Sequence, residues 1–326
     1  MRLRADVFAA TAGLMLALAA GAGSAQDQPA GYPLRPIRII VGVAPGAGND
    51  AITRAAAQML NDSWNQTVVV DNRAGGGTVI SVELAAQAPP DGYTLLSSTD
   101  TLILLSTMKR VAFDVRKAFE PVAVMTTQPY ILVIDPSLPV KAVKDLVAYS
   151  KTKPLSYGSS GVGTTVHLGM ERLAALTGAN FAHVPYKGTA PALIGVMSGE
   201  IHMVPASAIS AAAAMKTGKV RAVSVMGLKR LPAFPDLPTI DEAGWPGFKI
   251  VNSYNLFAPA GTPRAIIQAV NRVITAGMNA PQMVQKLAAE GSEPGARMTP
   301  EEFKAQFARD YVEMEKQVRQ SNVKLY

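Results

Sequence analysis

The stretch Ile37–Leu60, IRIIVGVAPGAGNDAITRAAAQML, decides the fold of this 326-residue chain. Ile37 to Val43 is rich in β-branched residues and reads as a strand. Pro45 to Gly48 make a tight turn, and Asn49 or Asp50 opens a helix that runs to Trp64. Gly46 and Gly48 let backbone amides crowd together. The helix start adds N–H groups without intrahelical acceptors and the positive end of the helix dipole, a combination that binds anions.

The same alternation continues outward. Short apolar or period-two runs at 67–70, 93–97, 122–125, 131–134, 155–158, 201–205 and 221–226 read as strands. Helical stretches lie between and after them, among them 78–88, 143–152, 165–177, 191–198, 207–217 and 263–276. Strands and helices interleaved from end to end predict an α/β protein with largely parallel sheets. Thr126–Pro129 marks a crossing into a second unit. The Pro-rich stretch Leu231–Pro246 marks the return, after which Ile250–Ala258 reads as a returning strand. The expected organisation is a discontinuous first lobe of residues 26–126 and 251–326 and a second lobe of residues 127–250. The last helix, from Pro300, carries Phe303, Phe307, Tyr311 and Met314 at three- and four-residue spacing, a face expected to pack onto its own domain.

The N-terminus reads MRLRADVFAATAGLMLALAAGAGSAQDQPA. Arg2 and Arg4 precede an apolar stretch from Val7 to about Ala20, and small residues follow up to Ala25, so residues 1–25 are expected to be a cleaved export signal. The stretch falls short of the ~20 apolar residues a membrane span needs. Arg2 and Arg4 are not adjacent, which argues against the twin-arginine route for folded, cofactor-loaded cargo. The chain has no cysteine, excluding disulfides, thiolate metal sites, a cysteine nucleophile and a lipid-modified N-terminus. Formal charge is +7. The basic residues are scattered, with no run longer than Lys109-Arg110 or Lys229-Arg230, so the charge reads as a general attraction for anions rather than a nucleic-acid face. These features predict a freely diffusing monomer of the periplasm, without lipid anchor, cofactor or metal, whose ligand is a small organic anion.

Several readings compete for the Gly46–Gly48 turn. No Lys-Ser or Lys-Thr follows Gly48, so it is not a phosphate loop of that type. Gly46, Gly48 and Ala51 match G-x-G-x-x-A, with Asp71 closing the next strand where a ribose-binding acid belongs, so an exported nucleotide-dependent enzyme is the alternative. Against it, Ala44 and Pro45 intervene between the strand and the first glycine. A purely structural turn is the third possibility. A second loop of the same kind lies at Leu155–Leu176, LSYGSSGVGTTVHLGMERLAAL. Ser159, Ser160, Gly161 and Gly163 fill its turn, and Thr164 is a helix-cap residue. It is not a nucleophile elbow, because Val162 stands where G-x-S-x-G requires glycine. His167, His183 and His202 are isolated and lack metal-ligand spacing, so neither catalysis nor a metal site is indicated. Ser98, Thr99 and Asp100 follow a strand, where open α/β sheets collect ligands. Arg73 brings a charge near the first lobe's loops.

At this point the chain resembles the substrate-binding receptors of tripartite tricarboxylate transporters, the Bug-type periplasmic proteins. The resemblance rests on YPLRPIRIIV, PGAGND, VVVDNRAGGG, APPDGYTLL, SSGVGTTVHLGME, HVPYKGTAPAL, GKVRAVSV, KRLPAFPDLPTIDEAG and APAGTPRAII, found in this order over nearly the whole exported length. It implies a Venus-flytrap fold of two α/β lobes closing on a ligand carboxylate held by the two glycine-rich loops. It points to Pro45, Gly46, Ala47, Gly48, Asn49 and Asp50 in one lobe, and to Ser160, Gly161, Gly163, Thr164 and Thr165 in the other. It further implies Ser98 and Thr99 as walls, with Tyr186 and Ser253-Tyr254 nearby. Ala47 stands where the family usually has glycine, and Ala206 where it often has aspartate. A missing acid there implies a ligand without an ammonium group, such as a di- or tricarboxylate or an aromatic acid. The resemblance also implies delivery to a membrane permease, or a sensing role where no permease is paired with the receptor.

Overall fold

The structure is a computed structural model that describes residues 29–320. The expected export signal, residues 1–25, lies outside the described residues. The opening unit forms as its sequence dictates: β1 (Ile37–Val41) is followed by a loop and by α1 (Gly48–Trp64). Asn65, in the left-handed conformation that asparagine tolerates, ends the helix. β1 lies between β2 (Val68–Asn72) and β3 (Thr94–Thr99), parallel to both. β3 then pairs antiparallel with β9 (Val251–Pro259), and β9 pairs antiparallel with β4 (Phe119–Ile134).

β4 joins the two halves of the molecule. Its residues Phe119–Pro129 pair with β9 in the first sheet. Its residues Tyr130–Ile134 pair with β7 (Met203–Ser207), and Ile131–Ile134 also pair with β8 (Arg221–Val225), in the second sheet. β5 (Leu155–Ser159) and β6 (Phe181–Pro185) complete that sheet, parallel to each other, and β5 bridges to β7. The chain returns where Ile250 N–H donates to Met226 O at 2.7 Å and Ile250 O accepts from Tyr130 N–H. The sequence reading gave two strands, 122–125 and 131–134, with Thr126–Pro129 between them as a crossing into the second lobe. The structure runs straight through, accommodating the first part with register shifts near Pro121 and Val124.

Helices cover both faces of each sheet. In the first lobe, α1 and α9 (Arg264–Met278) bury Ile52, Leu60, Ile267 and Ile274 on one face. The other face is covered by α2 (Val79–Ala86), α3 (Thr101–Thr107) and the C-terminal helix α11 (Pro300–Gln320), which follows the short helices α4 (Val115–Ala118) and α10 (Pro281–Ala289) in the numbering. In the second lobe, α5 (Val143–Thr152) and α6 (Thr165–Thr177) cover one face, and α7 (Thr189–Met197) and α8 (Ala208–Met215) the other. This is the α/β architecture with two lobes expected from the alternating pattern, with antiparallel strands added where the chain crosses between lobes.

The stripe on α11 is a core face. Phe303, Phe307 and Tyr311 are buried, and the Phe307 ring packs 5.3 Å from that of Phe257 on β9. Replacing Phe307 with Ala removes an aromatic from a closed core, a change that costs about 3–5 kcal/mol. Urea denaturation of the Phe307→Ala variant is expected to show a loss in that range. A loss below about 1 kcal/mol would mean that α11 is not docked as described.

Candidate functional site

The two lobes meet along their loops. Ala44 N–H donates to Lys187 O at 2.9 Å, and Thr165 N–H donates to Thr101 Oγ1 at 3.3 Å, each joining one lobe to the other. Between them lies a cavity of about 30 Å³, room for a water or two. The first lobe contributes Gly42, Val43, Ala47, Gly48 and Asn49 from the loop and start of α1, with Thr78, and Ser97–Thr99 and Thr101 around the end of β3. The second lobe contributes Ser160 and Thr189. Tyr130, Asn252 and Tyr254 come from the strands that run between the lobes.

The start of α1 is the strongest anion-attracting feature of this wall. The first intrahelical bond runs from Ala51 N–H to Ala47 O, so the amides of Gly48, Asn49 and Asp50 precede the ladder. Gly48 is required by proximity: a Cβ there would collide with the Tyr254 hydroxyl and lie 2.7 Å from Ser207 Oγ. The Asn49 side chain is held by Ser97, whose hydroxyl donates to Asn49 Oδ1 at 2.9 Å. No lysine, arginine, histidine, aspartate or glutamate lines the cavity. Three polar atoms at its walls are buried without a hydrogen-bond partner: Thr78 Oγ1 and both polar atoms of the Asn252 amide. Unpaired buried polar groups are costly, and they concentrate where a ligand is to be held.

Several residues expected at the site are elsewhere. Pro45 and Gly46 are exposed on the outer side of the turn. Asp50 is spent on fastening the loop: it accepts from Gly46 N–H at 2.9 Å, Asn72 Nδ2 at 2.9 Å and Arg54 Nε at 3.0 Å. Burial alone would raise its pKa, but these donors and the Arg54 charge outweigh burial and hold the carboxyl below its usual range. Asp71, the acid a ribose site would use, is ion-paired with Arg38 and Arg73. Ala206 faces the second lobe's core, and its neighbour Ser207 faces Gly48, because successive strand residues point to opposite sides. The Tyr186 hydroxyl points away from the cavity toward α7, close to Gly195.

The second glycine loop is built differently from the first. Gly161 N–H donates to Ser159 Oγ, Gly163 N–H to His167 Nδ1 at 3.1 Å, and Thr164 Oγ1 to Gly161 O. Gly161, Gly163 and Thr164 bond within the loop and Thr165 bonds across the seam to Thr101 Oγ1; none of the four lines the cavity, and of this loop Ser160 alone reaches it. The sequence reading missed Thr78, Thr101, Tyr130, Thr189 and Asn252. Thr101 follows the flagged Ser98–Asp100 turn directly, and Thr189 opens a helix after Gly188, so both carried a local signal. Thr78 closes the Gly75–Gly77 turn, which carried a weak one; Tyr130 and Asn252 carried none.

The histidines pack behind the second loop. His167 and His183 stack with ring centroids 4.0 Å apart, and His183 Nε2 lies 2.6 Å from Ser159 Oγ. Accepting from Gly163 leaves His167 Nδ1 without a proton. Burial, with the His167 ring beside it, pushes His183 down to about 4, and burial lowers His167 as well. The unfolded chain therefore takes up protons near pH 6.5 that the folded chain refuses, so this contribution to stability is full above pH 6.5 and is lost as pH falls toward 4. Denaturation measured across that window is expected to show a decline of about 2 kcal/mol from His183, allowing for partial solvent screening. The decline should be shallower in His183→Gln; an unchanged slope would remove His183 as its source. His202, the third histidine, accepts from Ser156 N–H at 2.9 Å and is likewise structural.

Comparison with known proteins shows what this architecture accompanies elsewhere. Residues 52–323 match the family described as tripartite tricarboxylate transporter family receptor. Protein BugT of Bordetella pertussis is 33% identical over 328 residues, covering 98% of this chain and 96% of its own. Among solved structures, a Rhodopseudomonas palustris protein with adipate is 31% identical at a TM-score of 0.83, covering 87% of this chain and 96% of its own. The periplasmic binding protein BugD is 28% identical at 0.84, covering 89% and 98%. MatC from Rhodopseudomonas palustris with bound malate is 26% identical at 0.81, covering 87% and 99%.

Proposed function

The chain belongs to the tripartite tricarboxylate transporter receptor family, whose members are solute-binding receptors rather than enzymes, and on that premise we propose that it captures a small organic carboxylate in the periplasm and delivers it to a membrane permease. The observation that carries the ligand class is the cavity: buried, free of charged side chains, open to the amides at the start of α1, and walled by the unpartnered Thr78 hydroxyl and Asn252 amide. Fixed dipoles hold an anion without the cost of keeping a bare ion buried before the ligand arrives. The neighbours with adipate and malate support the same class.

Capture is by lobe closure, with no covalent step. The chain passes between the lobes along β4, whose pairing changes sheets between Pro129 and Tyr130, three residues past the expected boundary at 126/127, and returns at Ile250 into β9; the hinge lies at these two passages. Thr127 on β4 faces Ser253 on β9 there, and Asp100 accepts from Ser253 N–H at 3.2 Å. Export places the receptor in the periplasm. Among the described residues no helix is long and apolar enough to cross a membrane.

The ligand lacks an ammonium group. No carboxylate lines the cavity to balance one, a firmer reason than the alanine at 206, which faces the core. A thermal-shift screen is expected to show stabilisation by dicarboxylates such as adipate and malate and none by aspartate or glutamate, because a ligand that binds only the folded state raises Tm. Stabilisation by the amino acids alone would overturn this reading. Gly48→Ala is expected to weaken carboxylate binding about tenfold or more, since its methyl meets the Tyr254 hydroxyl within the first lobe and Ser207 across the seam. Calorimetry showing unchanged affinity would remove the start of α1 from the site.

A further inference from the structure

Asp100 takes no part in lining the cavity, although Ser98, Thr99 and Thr101 around it all do. It precedes α3 without capping it with its side chain. The carboxyl turns instead to β9 and accepts from Ser253 N–H at 3.2 Å, just after the chain has returned from the second lobe at Ile250. The other passage is close as well. Tyr130, where β4 begins to pair in the second sheet, is held protonated by burial, by Tyr254 and by the charge of Asp100. The next residue, Thr101, reaches across the seam, with its hydroxyl 3.2 Å from that of Thr165. One carboxyl therefore sits beside both passages of the hinge and next to a contact that parts when the lobes separate.

No cation balances this group. Among the described residues Asp100 is in no ion pair, and the charge that acts on it is another carboxylate, Asp310 of α11. The Asn255 side-chain amide, also on β9, bonds to the carboxyl, yet its Oδ1 is buried without a partner. A carboxylate only accepts hydrogen bonds and leaves that oxygen unsatisfied. A carboxylic acid has an O–H to donate, so the acid and the amide satisfy each other through two hydrogen bonds. Burial lifts the pKa of Asp100 to about 7; Asp310 adds to the rise, and the Ser253 and Asn255 bonds oppose it.

We infer that Asp100 is a proton switch for lobe closure: the closed receptor holds it as the neutral acid paired with Asn255, and opening admits water to the carboxyl and releases the proton. This rests on the closure reading above and adds its regulation. The proton is bound more tightly in the closed form than in the open one. Closure, and affinity with it, therefore gains as pH falls below about 7, and the gain is absent above it. A proton taken up on closure also offsets part of the negative charge that the ligand brings. The His167–His183 pair acts in a different window, because burial depresses both rings, His183 to about 4.

Isothermal titration with adipate at pH 8 and pH 6, where the acid stays largely ionised, tests this. Wild-type affinity is expected to be higher at pH 6 by up to about tenfold, the limit for one proton bound near pH 7. The binding enthalpy at pH 6 should vary with the ionisation heat of the buffer, reporting the proton taken up. Asp100→Asn keeps a donor for Asn255 Oδ1 and cannot titrate, so it should bind at pH 8 as the wild type does at pH 6, with no dependence on pH. Equal wild-type affinity at both pH values overturns the switch, and so does a rise that survives in Asp100→Asn, because it assigns the proton to another group. Carbon NMR of the wild-type Asp100 carboxyl serves if the variant does not fold: titration at a higher pH in the adipate-loaded protein than in the free one is expected, and titration at the same pH overturns the switch. Binding without pH dependence fails the switch alone. A wild-type protein that binds no carboxylate at either pH fails the parent reading, and the switch with it.

Discussion

A receptor that closes around an anion must hold a negative charge in a space from which water is expelled. Everything at the seam of this molecule follows from how that constraint is met. A buried arginine or lysine would carry its own desolvation cost whenever the lobes close without ligand. Backbone amides at a helix start, hydroxyls and the two asparagine side chains are neutral, and they supply positive potential without that cost. The polar part of the cavity's lining is of this kind. The nearest cations, Arg110 and Lys187, line a separate groove on the same seam.

The two glycine-rich loops, alike in sequence, divide the work. The first leaves the amides of α1 facing the cavity and spends Asp50 on holding the turn in place. The second turns its amides inward onto Ser159 and His167 and presents Ser160 from a rigid frame. A binding loop and a bracing loop meeting across a cleft position a ligand more sharply than two mobile ones, because less conformational entropy is lost on closure. The stacked, neutral histidines belong to the brace.

Much of the fold was legible because strand and helix periodicities are local. Ile37–Val41, the glycine turn and α1 read directly from their residues, and the Phe303, Phe307 and Tyr311 stripe announced a helix with a core face. What hid the continuity of β4 was the segment Thr126–Pro129 between its two apolar runs, since Pro129 weakens the strand signal although the chain stays extended through it. The site was less legible. The loop at Gly48 was visible because a helix start is a local feature. Thr78, Tyr130 and Asn252 become neighbours only when two sheets share a strand. Ala206 and Ser207 show the sharpest limit: a shift of one residue along a strand exchanges core for cleft, and spacing alone does not say which faces the ligand. Asp71 met every sequence requirement of a ribose-binding acid, yet two arginines hold it.

The most direct measurement is a crystal structure of residues 26–326 grown with a dicarboxylate such as adipate. The expected result is a carboxylate between the lobes within hydrogen-bonding distance of the Gly48 and Asn49 amides and the Asn252 side chain. A carboxylate bound away from the start of α1, or lobes closed on one another with the acid excluded from the seam, would contradict it.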